Sequence, residues 1–271
     1  MRILLFGGGL GNQIFEYAFY LYLKEKFPNS KIYGVYHKLW LKEHNGLEIN
    51  KYFDVNLPSE SFKTNLLSAI LFLYKKIYPK SKLLDLNQRK CVNQNAIFFN
   101  AFKFDKNYLP NNNNWLLFRE LNLDGKNKDI LKHIQESNSF FIHVRRGDYL
   151  SPKYKERFNG TCSLNYYNES IKLLMNKEKC PVFYCFSDDM EWVMENFNLN
   201  NAIYINWNLG VNSVIDMYLM SQCKGGIIAN STFSYWGASL GIEKRTVIYP
   251  LKWINEPERN PDIFPKDWIG L

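Results

Sequence analysis

The chain has 271 residues, with 34 Lys and Arg against 26 Asp and Glu, a formal net charge of +8, and 46% hydrophobic and 17% aromatic residues. That apolar content excludes disorder as the main state, and the composition fits neither a collagen-like chain nor a disulfide scaffold. The length allows about two domains, each large enough to bury its own core.

Short apolar runs alternate with amphipathic ones, the pattern of an α/β protein with parallel sheets. A strand over 2–6 runs into glycines and then a helix from about Gln13 to Phe27, followed by a strand over 31–36. The next region is more irregular, with an amphipathic helix over 62–77, short apolar runs at 97–99 and 115–118, and a loop at 111–114 after Pro110. The polar stretch 124–138 breaks the pattern and separates an N-terminal domain, 1–130, from a C-terminal domain, 131–271. The second domain reads as a five-stranded doubly wound sheet, with strands at 140–144, 182–186, 202–205, 226–229 and 246–249. Helices at 164–175 (N-capped by Ser163), 189–197, 214–222 and 234–240 connect them. The tail, with Pro257, Pro261 and Pro265 between Trp253 and Trp268, reads as an extended or short-helical wrap that packs its aromatics back onto a domain surface.

Cys91, Cys162, Cys180, Cys185 and Cys223 form no CxxC pair and read as reduced thiols of a cytoplasmic protein. The N-terminal apolar run reaches glycine too soon for the core of a signal peptide. The longest greasy stretch, Leu66–Tyr74, falls well short of the ~20 residues needed to span a bilayer. Lysines interleaved with acids, without a recognisable nucleic-acid motif, argue against nucleic acid as a partner. A phosphorylated small molecule or an anionic membrane surface suits the diffuse positive charge better. In the 62–77 helix, Leu66, Leu67, Ile70, Leu71, Tyr74 and Ile77 recur at helical spacing among Lys63, Lys75, Lys76, Lys80 and Lys82. This segment reads either as a helix packed on its own core or as a peripheral contact with the inner membrane.

Four constellations carry chemistry. Gly7-Gly8-Gly9-Leu10-Gly11-Asn12-Gln13 lies at a strand-to-helix turn, where glycines let a ligand approach the backbone and Asn12 and Gln13 offer amides. Asn12 stands where a dinucleotide fingerprint needs its third glycine, so the loop is weak evidence for NAD. His143-Val144-Arg145-Arg146-Gly147-Asp148 closes a strand at the edge where open α/β sheets bind ligands, and its arginines make an anion clamp. His143 reads equally as a satisfied core residue. Asp188-Asp189 reads as a helix cap in preference to a metal site, and no Asp-x-Asp pattern of metal-dependent sugar transferases occurs in the chain. Asp216 is an acid in an apolar helix that needs a partner, either a purine edge or a backbone or arginine donor. Ser231-Thr232-Phe233-Ser234 follows a strand and opens a helix, a natural phosphate nest.

These blocks, Gly8–Ala18, His143–Tyr149, Phe186–Asp189 and Asp216 through Asn230–Trp236, occur in the order found in the α-1,2-fucosyltransferases of glycosyltransferase family eleven, which the chain resembles. The resemblance implies an α/β, GT-B-like fold of two facing Rossmann-like domains with parallel sheets. It implies inverting transfer of L-fucose from GDP-β-L-fucose to the 2-hydroxyl of a terminal β-galactose, without a metal or other cofactor. In this reading Arg145, Asn12 and Asp148 are catalytic, with Asp148 the candidate base and pairing to Arg146 or the backbone as its other reading. His143, Arg146, Asp216, Ser231, Thr232, Phe233 and Ser234 bind the donor, and Gly9, Gly11 and Gln13 form an acceptor-side loop. The competing readings are a carbohydrate- or anion-binding module without turnover and a fucosyltransferase of different linkage.

Overall fold

The computed structural model describes residues 1–41, 44–78, 80–85, 92–99, 104–111, 113–241 and 246–271. Cys91 and Asn112, which entered the sequence reading, lie outside the described residues. The chain divides into two compact units, Met1–Glu120 with Pro261–Ile263, and Leu121–Asn260 with Phe264–Leu271.

In the first unit, strands β1 (Arg2–Leu5), β2 (Ile32–Val35), β3 (Leu84–Asp85) and β4 (Phe98–Phe99) form a wholly parallel sheet in the order β2-β1-β4-β3. Its helices are α1 (Leu10–Lys26), α2 (Lys38–Leu41), α3 (Ile49–Tyr52) and α4 (Phe62–Ile77). A strand in such a sheet is covered on both faces, which is why β1 is apolar at successive positions. Ile3, Leu5, Val35 and Phe98 pack with Leu71 of α4, while Phe99, in register with Leu4, meets Phe19 of α1. Helix α1 starts at Leu10, ahead of the expected Gln13, because the Gly9 carbonyl already accepts from the Asn12 and Gln13 amides. Of the two short apolar runs, 97–99 contains β4, whereas 115–118 forms no named strand. A short 3-10 turn, Asn113–Trp115, takes in its first residue, and Phe118 makes an isolated antiparallel bridge to Phe53.

The second unit contains α5 (Gly125–Glu136), β5 (Ser139–Val144), α6 (Lys155–Phe158), α7 (Leu164–Lys177), β6 (Val182–Ser187), α8 (Met190–Asn196), β7 (Ala202–Ile205), α9 (Ser213–Gln222), β8 (Gly225–Ile227), α10 (Thr232–Ser239), β9 (Thr246–Tyr249) and β10 (Ile269–Gly270). The strands form one parallel sheet in the order β10-β9-β8-β5-β6-β7. Phe140, Ile142, Val144, Phe183, Cys185 and Ile227 pack with Tyr167, Ile171 and Leu174 of α7. The Ser163 hydroxyl caps α7 by accepting from the Tyr166 amide.

Two features differ from the sequence reading. The sheet has six strands, because the tail returns as β10 beside β9, with Phe264 stacked on Tyr249 at 3.8 Å between ring centroids. The stretch 124–138 is mostly helix: Asp124 caps α5 by accepting from the Asn127 amide, and α5 packs against α9. The division of the chain therefore falls at Glu120 and Leu121, ahead of the expected 130/131, and Pro261–Ile263 returns to the first unit. There the Lys106 amide donates to the Asp262 carbonyl.

Candidate active site

In an open parallel sheet, ligands bind beyond the carboxyl ends of the strands where the strand order reverses. In the second unit the chain runs from β5 to β6 and β7 on one side and then to β8 on the other, so the reversal lies between β5 and β8. The loop after β5 carries Arg145, and the turn after β8 carries Ser231. Two contacts join them: the Tyr149 hydroxyl donates to the Asn230 carbonyl at 3.0 Å, and the His143 ring lies 5.7 Å from that of Phe233.

Arg145 is held from two sides. Its Nε and Nη2 donate to Asp148 Oδ1 at 3.0 and 2.9 Å, and its Nη1 pairs with Asp188 Oδ2 at 3.1 Å. Burial opposes its charge, but Asp188 and Asp148 outweigh burial and leave its pKa raised. Asp148 therefore pairs with Arg145, whereas the sequence reading set Arg146 or the backbone as its partner. Arg146 instead donates from Nε to Asp189 Oδ2 at 3.0 Å and lies over the Trp192 ring at 4.1 Å. Asp188 also accepts from the Arg146 amide at 2.8 Å. Of the acidic pair, only Asp189 caps α8, by accepting from the Trp192 amide. The sequence reading took Asp188 with Asp189 for a helix cap, whereas here Asp188 braces Arg145 and becomes a candidate site residue. Gly147 allows its approach, since a Cβ there would come within 2.7 Å of Asp188 Oδ2.

His143 is buried, and desolvation, with Arg145 acting in the same direction against Asp188, lowers its pKa to about 4. It is neutral at pH 7, and its buried Nδ1 has no hydrogen-bond partner.

In the turn after β8, Ser231 stands at the N-cap position of α10 without a side-chain cap bond, and Thr232 and Phe233 are partly exposed. Ser234 is fully buried and its hydroxyl accepts from the Ala229 amide at 3.0 Å, so its side chain braces the turn and does not face a ligand. Asn230 Nδ2 donates to Thr161 Oγ1 and to the Trp253 carbonyl, both at 2.9 Å, anchoring the turn from behind.

Asp216 lies in the first turn of α9, largely withdrawn from water, and burial raises its pKa to about 7. Its partner is neither a backbone group nor an arginine. Asn208 Nδ2 donates to Asp216 Oδ1 at 2.7 Å and to Asn127 Oδ1 at 3.0 Å, while Asn127 Nδ2 donates back to Asn208 Oδ1 at 2.9 Å. Trp207 Nε1 donates to Asn127 Oδ1 at 3.2 Å, and Asp124 accepts from Asn127 Nδ2 at 2.9 Å. A chain of amides thus runs from the cap of α5 to the acid of α9. Asn208 and Asn127 were missed, and the sequence signal available was only the capping residue Asp124.

In the first unit the strand order reverses between β1 and β4, and the glycine loop follows β1. Gly8 adopts φ +71°, a conformation that strains any residue with a side chain. Glu16 is buried, and its carboxylate accepts from the Gly7 amide at 2.9 and 3.2 Å. Gln13 is also buried: Nε2 donates to the Gly8 and Gly46 carbonyls at 3.0 and 2.8 Å, and Oε1 accepts from the Glu48 and Ile49 amides. Gln13 therefore ties the loop to the segment before α3 and has no amide left for a ligand, a correction to its assigned role. Gly11 is buried, whereas Gly9 and Asn12 are partly exposed.

Among the described residues no group of three or more His, Cys, Asp or Glu is arranged to hold a metal ion, and no helix is long and apolar enough to cross a membrane.

The profile described as "Glycosyl transferase family 11" matches residues 6–271. An α-1,2-colitosyltransferase of Escherichia coli is 30% identical over 285 residues, covering 97% of this chain and 96% of that protein. The O-antigen biosynthesis glycosyltransferase WbnK of Escherichia coli is 29% identical over 302 residues, covering 97% and 98%. Among solved structures, the fucosyltransferase NodZ from Bradyrhizobium aligns with a TM-score of 0.50 at 12% identity, covering 87% of this chain and 91% of its own. That likeness concerns the fold, which is GT-B-like.

Proposed function

The chain belongs to glycosyl transferase family 11, and from that premise we propose that this glycosyltransferase moves L-fucose from GDP-β-L-fucose to the 2-hydroxyl of a terminal β-galactose. The observation that carries this reading is Arg145, fixed by Asp148 and Asp188 at the strand-order reversal, beside the turn that opens α10.

The bond from the fucose anomeric carbon to the β-phosphate oxygen breaks, and GDP leaves with the electron pair. The galactose 2-oxygen bonds to the opposite face of that carbon, giving the α-fucoside with inversion. Negative charge gathers on the departing phosphate, and a guanidinium already locked in place stabilises it without reorganising. The amides and hydroxyls at the start of α10, from Ser231 to Phe233, supply further donors to the diphosphate. A neutral His143 adds no repelling or competing charge beside Arg145. Asp216, in its ionised form, accepts from the N1–H and the amino group of guanine, with Asn208 fixing its orientation. The proton of the galactose hydroxyl passes to Asp148 or to water. Arg145 and the N–H donors do the work of a metal, so the reaction proceeds without one. In the first unit the partly exposed loop at Gly9 and Asn12 contributes to the acceptor side.

The α-1,2-colitosyltransferase relative gives a second reading of the donor, because colitose is L-fucose without its 3-hydroxyl. The test offers GDP-fucose and GDP-colitose in parallel, each with lactose, N-acetyllactosamine and the type 1 disaccharide. The expected product carries α-1,2-linked fucose, identified by NMR. Transfer of colitose in preference to fucose would reassign the donor, and binding of GDP without transfer to any acceptor would overturn the enzymatic reading.

A further inference from the structure

Helix α4 carries two apolar stripes on opposite sides. One packs onto the first sheet through Leu71, with Leu67, Phe72 and Tyr74 partly buried beside it. The other consists of Phe62, Leu66, Ile70, Leu73 and Ile77, which are 84%, 55%, 53%, 62% and 70% exposed. Their spacing of four, four, three and four residues gathers them into a narrow arc facing away from the sheet. A helix that only covers a core presents polar residues on that side.

The residues around this arc point to one kind of partner. Lys63 and Lys76 are exposed on α4, Lys75 lies in its last turn, and Lys80 and Lys82 follow it. The helix contains no Asp or Glu, and Glu60, just ahead of it, accepts from Asn65 Nδ2 at 2.8 Å. A second copy docking by the same face around a two-fold axis would bring lysines against lysines. An apolar arc with a basic border matches a surface that is apolar beneath and anionic on top. We infer that the outer face of α4 lies on an anionic lipid surface, with Phe62, Leu66, Ile70, Leu73 and Ile77 at the boundary between headgroups and acyl chains and the lysines among the headgroups. The inference is independent of which sugar is transferred.

The test is co-sedimentation of the full chain with vesicles of phosphatidylcholine alone or mixed with phosphatidylglycerol, at low and high salt. Two double variants accompany it, Lys63→Glu/Lys76→Glu and Leu66→Gln/Leu73→Gln, all at exposed positions where the core is untouched. Matching circular dichroism spectra and urea midpoints establish that both remain folded. Binding is expected only with phosphatidylglycerol, weakening with salt. Each lysine near such a surface is worth about fivefold in affinity, so the charge variant should lose at least ~25-fold. The apolar variant should lose binding as well. Equal binding to both kinds of vesicle, binding that survives either variant, or no binding at all would overturn the inference. So would a concentration-dependent dimer in sedimentation velocity that disappears in the Leu66→Gln/Leu73→Gln protein.

Discussion

If Asp216 reads the guanine edge, it must be ionised when GDP binds, and its environment sets the pH at which that becomes costly. Burial lifts its pKa from an ordinary 3.8 to about 7, with the Asn208 hydrogen bond pulling the other way. In the free protein the carboxyl is therefore mostly protonated below pH 7, and binding must expel that proton. At pH 5 the ionised fraction is about one hundredth, so the Kd for GDP should be about 100-fold higher than at pH 8. Titration calorimetry in buffers of different ionisation enthalpy measures both the Kd and the proton released. Asp216→Asn is the control: it should bind GDP more weakly at pH 8, and any pH dependence it retains belongs to the diphosphate itself.

The same shift affects stability, with a definite sign. A carboxyl whose pKa is raised by folding contributes stability below its ordinary pKa, and that contribution is lost as the pH rises through about 7. Three pKa units correspond to about 4 kcal/mol for a fully desolvated group, and partial solvent access reduces this to about 2 kcal/mol. Asp216→Asn should therefore be more stable than the parent to urea by about 2 kcal/mol at pH 8, by less than half as much at pH 5, and gain nothing well below the ordinary carboxyl pKa of 3.8. Equal pH dependence of GDP affinity in the parent and the variant would refute the guanine role. A variant less stable at pH 8 would refute the desolvation argument.

Replacing Arg145 by Ala should lower transfer from GDP-fucose more than ~100-fold in kcat, the scale of losing one oxyanion donor, and a near-normal rate would remove Arg145 from the chemistry. Glu16→Ala leaves the buried Gly7 amide without its acceptor and should cost about 2–3 kcal/mol in urea unfolding, whereas Glu16→Gln keeps an oxygen there and should lose less than half as much. Equal losses would refute the acceptor role, which does not need the charge that burial disfavours in pushing the Glu16 pKa well above its ordinary value. Exhaustive treatment with a chelator should leave the transfer rate unchanged, and loss of activity restored by a divalent cation would refute the metal-free mechanism.

The elements of the second unit were legible because its strands are continuous apolar runs and its helices open on capping residues such as Ser163 and Asp189. What escaped was structure whose signal lies elsewhere in the chain. Helix α5 looks like a polar linker, since Asn127 and Ile134 are its only fully buried residues and its stability comes from packing on α9. Strands β3 and β10 are two residues each and exist because a neighbouring strand supplies their register. Local pattern carries no information of that kind.

The site follows the same division. Arg145, Asn12 and the Ser231 turn are candidates on sequence grounds because each stands where a strand gives way to a helix, the place where open α/β sheets bind ligands. Their supports could not be named in that way. Asp188 and Asp189 are adjacent and chemically alike, and each pairs with an arginine of the loop after β5, which the parallel register of Val144 with Ser187 brings alongside, yet only Asp189 also caps α8. Gln13 reads as a ligand group by position, but it and Glu16, one turn further along α1, both turn inward to hold the glycines, because backbone donors and acceptors strained away from regular structure must be paired with something. The glycine loop thus needs the two polar residues that follow it for its own shape. Asn12 precedes both and is partly exposed, so its substitution, with urea unfolding measured beside transfer, is the direct test of the role proposed for this loop.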